Sequence, residues 1–298
     1  MTRSLVAAAA ILLLLAAVPF AATAQTAATR IDTLQRIRDT GTILVGVRDS
    51  AAPFASVDAQ GKAQGYTVDL CQRVADAIRS ELKLPKLDVR HVVVTAANRI
   101  DKVRAGEVDL ECGSTTNTRE RQQQVAFAYT TMITGIRLLV KADSGIREID
   151  DLRGKAVIVT KGTTGEAMLR QLDRDRLLKL SILVANDHGE SFRAVEDGKA
   201  AAFLNNDVLH YGLISKAKRP ADFAVVGKFF SIDPYAIMLR RDDPAFERMV
   251  NRALLDLFQS GEIRRIYARW FTTRELTIPM SLHTREAFSM PNTHPAWP

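Results

Sequence analysis

The chain has 298 residues, of which 47% are hydrophobic and 25% are charged, and its formal net charge is +7. This length is enough for about two globular domains. The basic residues are spread along the chain in doublets such as Arg240-Arg241 and Arg264-Arg265, which indicates solvated surfaces and argues against a nucleic-acid-binding protein.

The first 24 residues have the organisation of an export signal. Arg3 precedes the apolar run LVAAAAILLLLAAVPFAA, and the small residues Ala22 and Ala24 follow the pattern of a cleavage site. Pro19 lies within this run, which favours a removed signal peptide over a membrane anchor. The first cysteine is Cys71, so a lipid anchor at the new N-terminus is not supported. We expect cleavage after Ala24 and a periplasmic protein.

Short apolar runs that indicate strands alternate along the chain with amphipathic runs that indicate helices. The predicted strands cover residues 42–47, 87–94, 108–112, 136–140, 155–160, 180–185, 200–205, 223–227 and 235–239. Helical spacing of apolar residues covers 68–82, 164–178 and 244–270. This alternation predicts an α/β fold with mostly parallel sheets.

Hydrogen-bonding or cationic side chains follow six of the predicted strands. They are Arg48, Thr95 and Arg99, Ser114 and Thr116, Thr163 and Thr164, His188, and Asn206 with Asp207. Ligands of open α/β sheets collect outside the carboxyl ends of the strands. We therefore predict that these residues form one binding site, which includes the polar segment ECGSTTNTRER at 111–121.

Three of these turns also have the spacing of a helix capping box. Thr163 precedes Glu166 by three residues, Asp187 precedes Glu190 in the same way, and Asn117 with Glu120 resembles the pattern. For each turn alone, helix capping is the simpler interpretation. Capping and binding are compatible, because the N–H groups at a helix start also attract a carboxylate.

Three arginines at strand or turn ends suggest what kind of ligand binds. Arg48, Arg99 and Arg121 carry planar guanidinium groups, which pair with carboxylates through two parallel hydrogen bonds. For each arginine alone, a surface ion pair is the better interpretation. Together they predict an anion with at least one carboxylate.

Signals for catalysis and metal binding are weak. The sequence has no GxSxG, GxxxxGK[ST], GxGxxG or HExxH motif, and its five histidines lack metal-ligand spacing. His188 is open to two interpretations, a general base or a hydrogen-bond donor to a ligand, and Glu111 has no evident partner for acid-base chemistry. We predict no metal and no cofactor.

Cys71 and Cys112 are the only cysteines, and two interpretations remain open for them. An oxidising compartment permits a disulfide bond between the two. Cys71 also lies on the apolar side of a predicted helix, where a free thiol behaves as a small hydrophobic residue.

Several motifs resemble one protein family. VGVRDSAAPFA, ECGSTTNTRERQQQVAF, KGTTGEAML and DHGESFRAVEDGKAAAFLNND are similar to segments of the periplasmic solute-binding proteins of polar amino-acid ABC transporters. The resemblance is strongest to the glutamate/aspartate-binding branch and extends from about Thr42 to Phe271.

The resemblance implies a type II periplasmic binding protein, in which two α/β lobes are joined by two hinge strands. Lobe 1 would hold residues 30–131 and 233–298, and lobe 2 would hold 132–232.

The resemblance also assigns roles to individual residues. In the family, the equivalents of Arg121, Ser114, Thr116 and Thr164 hold the ligand α-carboxylate. The equivalents of Arg48, Arg99 and His188 hold its side-chain carboxylate. The resemblance implies no reaction. The protein is expected to bind a small molecule and to deliver it to an inner-membrane ABC permease. It is also expected to be a monomer.

Two positions depart from the family pattern. Ala96 replaces a usual serine, and Asn206 replaces a usual aspartate that pairs with the ligand ammonium. Either Asp207 or a backbone carbonyl then accepts the ammonium, or the ligand is a dicarboxylate without one.

The expected function is capture of L-glutamate or L-aspartate, with glutamine or asparagine as related ligands. The alternatives are a dicarboxylate-binding protein, a periplasmic enzyme of the cyclohexadienyl or arogenate dehydratase type on the same fold, and a sensor module.

Overall fold

The computed structural model of the protein describes residues 32–296. The predicted export signal, residues 1–24, lies outside the described residues. Between residues 32 and 296, no helix combines the length and the apolar character that crossing a membrane would require.

Thirteen strands are present in the described part of the chain. They are β1 Thr42–Val47, β2 Ser50–Ala51, β3 Ala55–Val57, β4 Ala63–Gln64, β5 Asp88–Val93, β6 Leu110–Glu111, β7 Ala126–Thr134, β8 Ile136–Lys141, β9 Ala156–Thr160, β10 Ser181–Ala185, β11 Ala202–Asn206, β12 Phe223–Val226 and β13 Asp233–Leu239.

Ten α-helices accompany these strands within residues 32–296. They are α1 Thr33–Thr40, α2 Tyr66–Glu81, α3 Arg99–Ala105, α4 Arg119–Gln122, α5 Thr164–Arg176, α6 His188–Glu196, α7 Asp207–Ile214, α8 Pro244–Gln259, α9 Glu262–Phe271 and α10 Leu282–Ser289. The predicted helical segment 244–270 is thus two helices, because Gly261 adopts a φ of 73° between them.

Two five-stranded sheets organise the fold into two lobes. The sheet of lobe 1 has the strand order β5-β1-β6-β13-β7, and the sheet of lobe 2 has the order β10-β9-β11-β8-β12. In each sheet the first three strands are parallel, and an antiparallel strand follows them. The mostly parallel α/β fold predicted from the sequence is confirmed.

The central strands of each sheet, such as β11 and β13, are buried on both faces, whereas the edge strands β5 and β10 are partly exposed. Neighbouring residues of one strand point to opposite faces, so Ile237 joins the large core under α2 and α8 while Met238 joins a smaller core that contains Val103. In lobe 2, Leu138 and Leu139 divide between two cores in the same way.

The chain passes between the lobes twice, at adjacent positions. It leaves lobe 1 through β7 and enters lobe 2 at β8, and it returns between β12 and β13. Gly135 separates β7 from β8, and a Cβ atom at this position would lie 2.4 Å from the carbonyl oxygen of Ser231 on the returning segment. The two crossing segments therefore touch, which is suited to a hinge.

β7 was not predicted from the sequence, although it is the longest strand described. Its sequence AFAYTTMIT alternates poorly because most of its residues are buried on both sides. The strand continues to Thr134, so the lobe boundary expected after residue 131 falls inside it, whereas β13 begins at Asp233. The assignment of 30–131, 132–232 and 233–298 to lobes stays a prediction.

Cys71 and Cys112 form a disulfide bond, which decides between the two interpretations of these cysteines. The bond joins α2 to the segment that follows β6, over a sequence separation of 41 residues. Cys112 directly precedes the polar segment 113–118, so the bond fixes the strand end from which the predicted site residues project.

Candidate functional site

Most of the predicted site residues lie in the gap between the two lobes. The carboxyl ends of β1 and β6 face this gap from lobe 1, and those of β9, β10 and β11 face it from lobe 2. The lobes lie close together there, and the cavity between them has a volume of only about 10 Å³. It is lined by Arg48, Arg99, Ser114, Thr116, Thr163, Thr164, His188, Asn205, Asn206, Leu209 and Tyr235.

Arg48 is the most unusual of these residues. It directly follows β1, and only 1% of its surface is exposed. Its Nε, Nη1 and Nη2 atoms have no hydrogen-bond partner among the described residues. Burial, followed by the neighbouring charge of Arg99, lowers the pKa of Arg48 to about 10, so the guanidinium stays charged at neutral pH. A buried unpaired charge is strongly unfavourable, and a bound anion would satisfy it.

Three other donors around the cavity are buried without partners. They are the Nε of Arg99, the Oγ of Ser114 and the hydroxyl of Tyr235. Arg99 is otherwise held by a hydrogen bond from Nη1 to the carbonyl of Ser114, at 3.4 Å. Burial raises the pKa of the Tyr235 hydroxyl well above its usual value, so this group keeps its proton and can donate. The cavity therefore offers an excess of hydrogen-bond donors.

Arg121 lies beside the cavity and connects the lobes. Its Nη1 donates to the carbonyl of Thr116 at 2.9 Å, and its Nη2 donates to the carbonyl of Gly162 in lobe 2 at 3.2 Å. Burial, followed by the charge of Arg99, lowers the pKa of Arg121 to about 9. Arg121 is not among the residues that line the cavity, so a ligand would reach it from the edge of this space.

His188 begins α6 and is a neutral hydrogen-bond donor rather than a base. Burial, followed by the charge of Arg48, lowers the pKa of its imidazole well below 6.5. The Nδ1 atom lies 2.8 Å from the Thr160 hydroxyl and 3.4 Å from the Asn205 amide nitrogen. Nδ1 therefore accepts, which leaves the Nε2–H group as the donor.

The two helix caps predicted in lobe 2 are present, but the reciprocal half of each capping box is not, because the Glu166 and Glu190 carboxylates accept from Gly162 N and Asn186 N, one residue before the caps. Glu166 N donates to the Thr163 hydroxyl at 3.1 Å, and Glu190 N donates to Asp187 at 2.9 Å. Thr164, the first residue of α5, lines the cavity next to its cap Thr163. The start of a 13-residue helix thus faces the cavity with unpaired N–H groups, which favour an anion.

The predicted cap at Asn117 is wrong. Thr118 caps α4 instead, by accepting from Arg121 N at 3.2 Å. The Asn117 amide donates to the carbonyl of Thr293 at 3.0 Å and so attaches the C-terminal tail to lobe 1. The polar segment therefore divides its roles, with Ser114 and Thr116 at the cavity and Asn117 holding the tail.

Asp207 is not brought to the cavity. Its carboxylate accepts from the Thr134 hydroxyl at 2.6 Å and from Val208 N at 2.8 Å, which commits it to the start of its own helix. Asn206 does line the cavity, and its Nδ2 donates to the carboxylate of Asp233. Asp233 is 2% exposed, and no sequence signal marked it because it sits at the start of a strand in the other lobe.

Glu111 provides a second buried carboxylate in this region. It is fully buried and accepts from the Thr115 hydroxyl at 2.5 Å. Its charge is close enough to raise the pKa values of Arg48, Arg99 and Arg121 against the effect of burial, although it forms no direct ion pair with any of them. No group of histidine, cysteine, aspartate or glutamate residues in the described range is arranged to hold a metal ion.

Sequence reasoning missed Tyr235, Asn205, Leu209 and Asp233. Tyr235 and Leu209 have the appearance of core residues within a strand and a helix, and only the tertiary structure exposes them to the cavity. The polar pair Asn205-Asn206 at the end of an apolar strand carried a signal that could have identified Asn205.

A second buried histidine, His210, allows the effect of burial on a histidine pKa to be tested. His210 in α7 donates from Nε2 to the carbonyl of Arg137 at 3.1 Å, and burial lowers the pKa of its imidazole from 6.5 to about 3. Between these two pKa values, His210 therefore binds a proton in the unfolded chain but stays neutral in the folded chain. The contribution of neutral His210 to the free energy of unfolding is therefore fully present above the unfolded pKa of about 6.5. It is lost as the pH falls from there toward the folded pKa of about 3.

We expect His210→Gln to remove part of this loss. Between about pH 7.5 and about pH 5.5, the free energy of unfolding of the wild type should fall by about 1.4 kcal/mol more than that of the variant. Urea unfolding at the two pH values measures this difference. His283→Gln, at a residue with 65% of its side chain exposed, is the control for loss of a surface histidine. Parallel pH profiles for wild type and His210→Gln would contradict the prediction.

Comparisons with known proteins agree with the geometry. The family model of the bacterial extracellular solute-binding proteins, family 3, matches residues 43–273. The chain is 43% identical over 266 residues to the L-glutamate/L-aspartate-binding protein of Pseudomonas aeruginosa, and this match covers 87% of this chain and 88% of that protein. It is 41% identical over 239 residues to the glutamate/aspartate import solute-binding protein of Escherichia coli, with 80% and 79% covered.

Among solved structures, the cysteine-binding protein from Campylobacter jejuni matches with a TM-score of 0.73 at 24% identity, over 85% of this chain and 98% of that one. This likeness shows the two-lobed fold of the type II periplasmic binding proteins. Together with the sequence matches, it establishes that the chain belongs to family 3 of the bacterial extracellular solute-binding proteins.

Proposed function

We propose that this protein is the substrate-binding component of an ABC importer and that it captures an acidic amino acid, L-glutamate or L-aspartate. The observation that carries the proposal is the buried guanidinium of Arg48, which has three nitrogen atoms without hydrogen-bond partners at the cavity. A carboxylate pairs with such a group in a planar, two-bond geometry. Two relatives named for glutamate and aspartate support the same ligand class.

The ligand has two carboxylates, and the site has two groups of donors. Arg48 and Arg99 lie close enough to His188 for their charges to act on its imidazole, and these two guanidiniums with the Nε2–H of His188 would hold the side-chain carboxylate. Ser114, Thr116, Arg121 and the start of α5 at Thr164 would hold the α-carboxylate. This division follows the roles that the family resemblance implies, and the unpartnered donors of Arg48, Arg99 and Ser114 support the binding of an anion.

Binding would close the hinge. Donors from both lobes contribute to the α-carboxylate site, so the ligand makes its full set of hydrogen bonds only when the lobes are together. The mature protein would carry the ligand through the periplasm as a monomer and deliver it to the permease subunits in the inner membrane.

Calorimetric titration of the purified protein tests the proposal. L-Glutamate or L-aspartate should bind with one site per chain at micromolar affinity or better, which corresponds to about 8 kcal/mol. Each should also raise the melting temperature, because ligand at about 100 times its dissociation constant adds about 2.7 kcal/mol of stability. The proposal is wrong if neither amino acid binds while an unrelated amino acid such as L-arginine does.

The closed arrangement requires a glycine at residue 162. A Cβ atom there would lie 2.7 Å from Ala97 Cα and 2.9 Å from the carbonyl oxygen of Ala96, both in lobe 1. We expect Gly162→Ala to keep the lobes apart and to weaken L-glutamate binding at least about tenfold, since closure is linked to affinity.

A matched control separates this effect from backbone strain. Gly154 in lobe 2 has a φ of 71°, close to the 75° of Gly162, but a Cβ atom at Gly154 would meet nothing within 4 Å. Both alanine variants should lose about 1 kcal/mol of stability from the left-handed backbone. Only Gly162→Ala should also lose affinity, and similar affinities for the two variants would refute the closure argument.

A further inference from the structure

None of the described residues places a carboxylate on the wall of the cavity, although an acidic amino acid also carries an ammonium group. Its lining includes two arginines, a histidine, hydroxyl groups and the amides of Asn205 and Asn206. Asp207, the acidic residue nearest in sequence, bonds to Thr134 and to its own helix. The negative charge that would balance an ammonium must therefore come from outside the lining.

Asp233 lies directly behind Asn206. Its Oδ2 accepts from the Nδ2 of Asn206 and from the hydroxyl of Ser231, the latter at 3.0 Å. Because the Asn206 amide uses its NH₂ group toward Asp233, its carbonyl oxygen is the atom left to accept from a ligand. A carboxylate bonded to the NH₂ side of an amide also polarises that carbonyl and makes it a better acceptor.

The charges around the cavity agree with this arrangement. Three buried guanidiniums, those of Arg48, Arg99 and Arg121, face two buried carboxylates, those of Glu111 and Asp233. One positive charge remains. It matches the net charge of −1 of glutamate or aspartate better than the −2 of a dicarboxylate without an amino group.

We propose that Asp233 and Asn206 together recognise the ligand ammonium, with the Asn206 carbonyl as the direct acceptor and the Asp233 carboxylate as its counter-charge. This pair determines selectivity for an amino acid over the same dicarboxylate without its amino group. The inference rests on the proposed function, because it assigns a third recognition group to the same cavity.

The test compares two ligands that differ at the α-carbon. L-Glutamate carries an ammonium there, and 2-oxoglutarate carries a carbonyl group. Binding is measured by calorimetry at about pH 8, because burial raises the pKa of Asp233 to about 6 and the carboxylate is then ionised. The wild type should prefer L-glutamate.

We expect Asp233→Asn to lose about tenfold in affinity for L-glutamate, because the ammonium loses its counter-charge behind the Asn206 amide, and to keep or gain affinity for 2-oxoglutarate. The double variant Asn206→Asp with Asp233→Asn exchanges the two groups, so the carboxylate itself reaches the cavity. This exchange preserves the hydrogen bond between the two side chains and should restore L-glutamate binding to at least the wild-type affinity.

Ser231→Ala is the packing control. It removes the other hydrogen bond to the same carboxylate oxygen but keeps the charge, so any loss should be equal for the two ligands. Thermal unfolding of each variant reports whether it is folded, and the double variant tests the inference even if Asp233→Asn alone is unstable.

The outcomes separate the inference from the proposed function. If the wild type binds neither L-glutamate nor 2-oxoglutarate, the proposed function fails and the inference fails with it. If the wild type binds L-glutamate, but Asp233→Asn weakens both ligands equally and the exchange does not restore selectivity, only the inference is overturned.

Discussion

Replacement of Arg48 by methionine should weaken L-glutamate and L-aspartate binding by at least about 100-fold. Arg48 is 1% exposed, and its three side-chain nitrogens have no partners in the described structure, so its donors are free for a ligand carboxylate. A hydrogen bond to a charged group contributes about 1.5 to 3 kcal/mol, and a guanidinium makes two of these with one carboxylate. Methionine has a similar stem and fills most of the same volume without a charge.

The same change should stabilise the protein in the absence of ligand. Burial of the unpaired guanidinium is unfavourable, and this cost is reflected in the lowered pKa of Arg48, about 10. Replacing a buried charge by a hydrophobic residue of similar size often stabilises a protein by about 1 to 4 kcal/mol. We expect the ligand-free Arg48→Met variant to have a higher melting temperature and a lower ligand affinity than the wild type. A gain in stability together with a loss of binding is expected where a residue serves function at the expense of stability.

Arg104→Met is the control for removal of a surface arginine. Arg104 lies in α3 with 55% of its side chain exposed, and both affinity and stability should change little. If Arg48→Met retained affinity within about threefold of wild type, or lost stability as well as affinity, the assignment of Arg48 to the ligand would be wrong.

Arg121→Met should weaken every ligand that has an α-carboxylate, again by at least about 100-fold. Arg121 holds the carbonyl of Thr116 at the cavity edge and the carbonyl of Gly162 in lobe 2. Its loss would remove both a donor to the α-carboxylate and a hydrogen bond between the lobes. L-Glutamate, L-aspartate and L-glutamine should therefore be affected alike.

L-Glutamine distinguishes the two arginines. It lacks the side-chain carboxylate, so Arg48→Met should weaken L-glutamine binding much less than L-glutamate binding, whereas Arg121→Met should weaken the binding of both alike. Calorimetry with the three amino acids measures this pattern. An equal loss across the ligands for Arg48→Met would contradict the division of the two arginines between the two carboxylates.

Much of the fold could be predicted because most strands are short apolar runs bounded by polar turns. β1 matches its predicted bounds, and β8, β9 and β12 differ from theirs by a residue at one or both ends. β7 was missed because burial on both faces removes the alternation that identifies a strand. β6 shrinks to two residues because the chain turns into the polar segment after Glu111.

The site was predictable to the extent that it is built from strand ends. Arg48 and Arg99 lie near the carboxyl ends of strands in the sheet of lobe 1, and Thr164, His188 and Asn206 lie at those of lobe 2, so their convergence within each lobe follows from topology. Tyr235 and Asp233 come from an antiparallel strand that returns from lobe 2, and no local pattern predicts where such a strand inserts. Asp207, which the sequence also offered as a ligand candidate, does not line the cavity, because its carboxylate accepts from the Thr134 hydroxyl and from Val208 N at the start of α7.

A crystal structure of the protein with L-glutamate would test the central claim most directly. We expect one carboxylate of the ligand within hydrogen-bond distance of the Arg48 and Arg99 guanidiniums, and the other within the same distance of Arg121, Ser114 and the start of α5. A ligand seated elsewhere, with the Arg48 nitrogens still unpaired or facing solvent, would contradict the claim that these buried guanidiniums recognise an acidic amino acid.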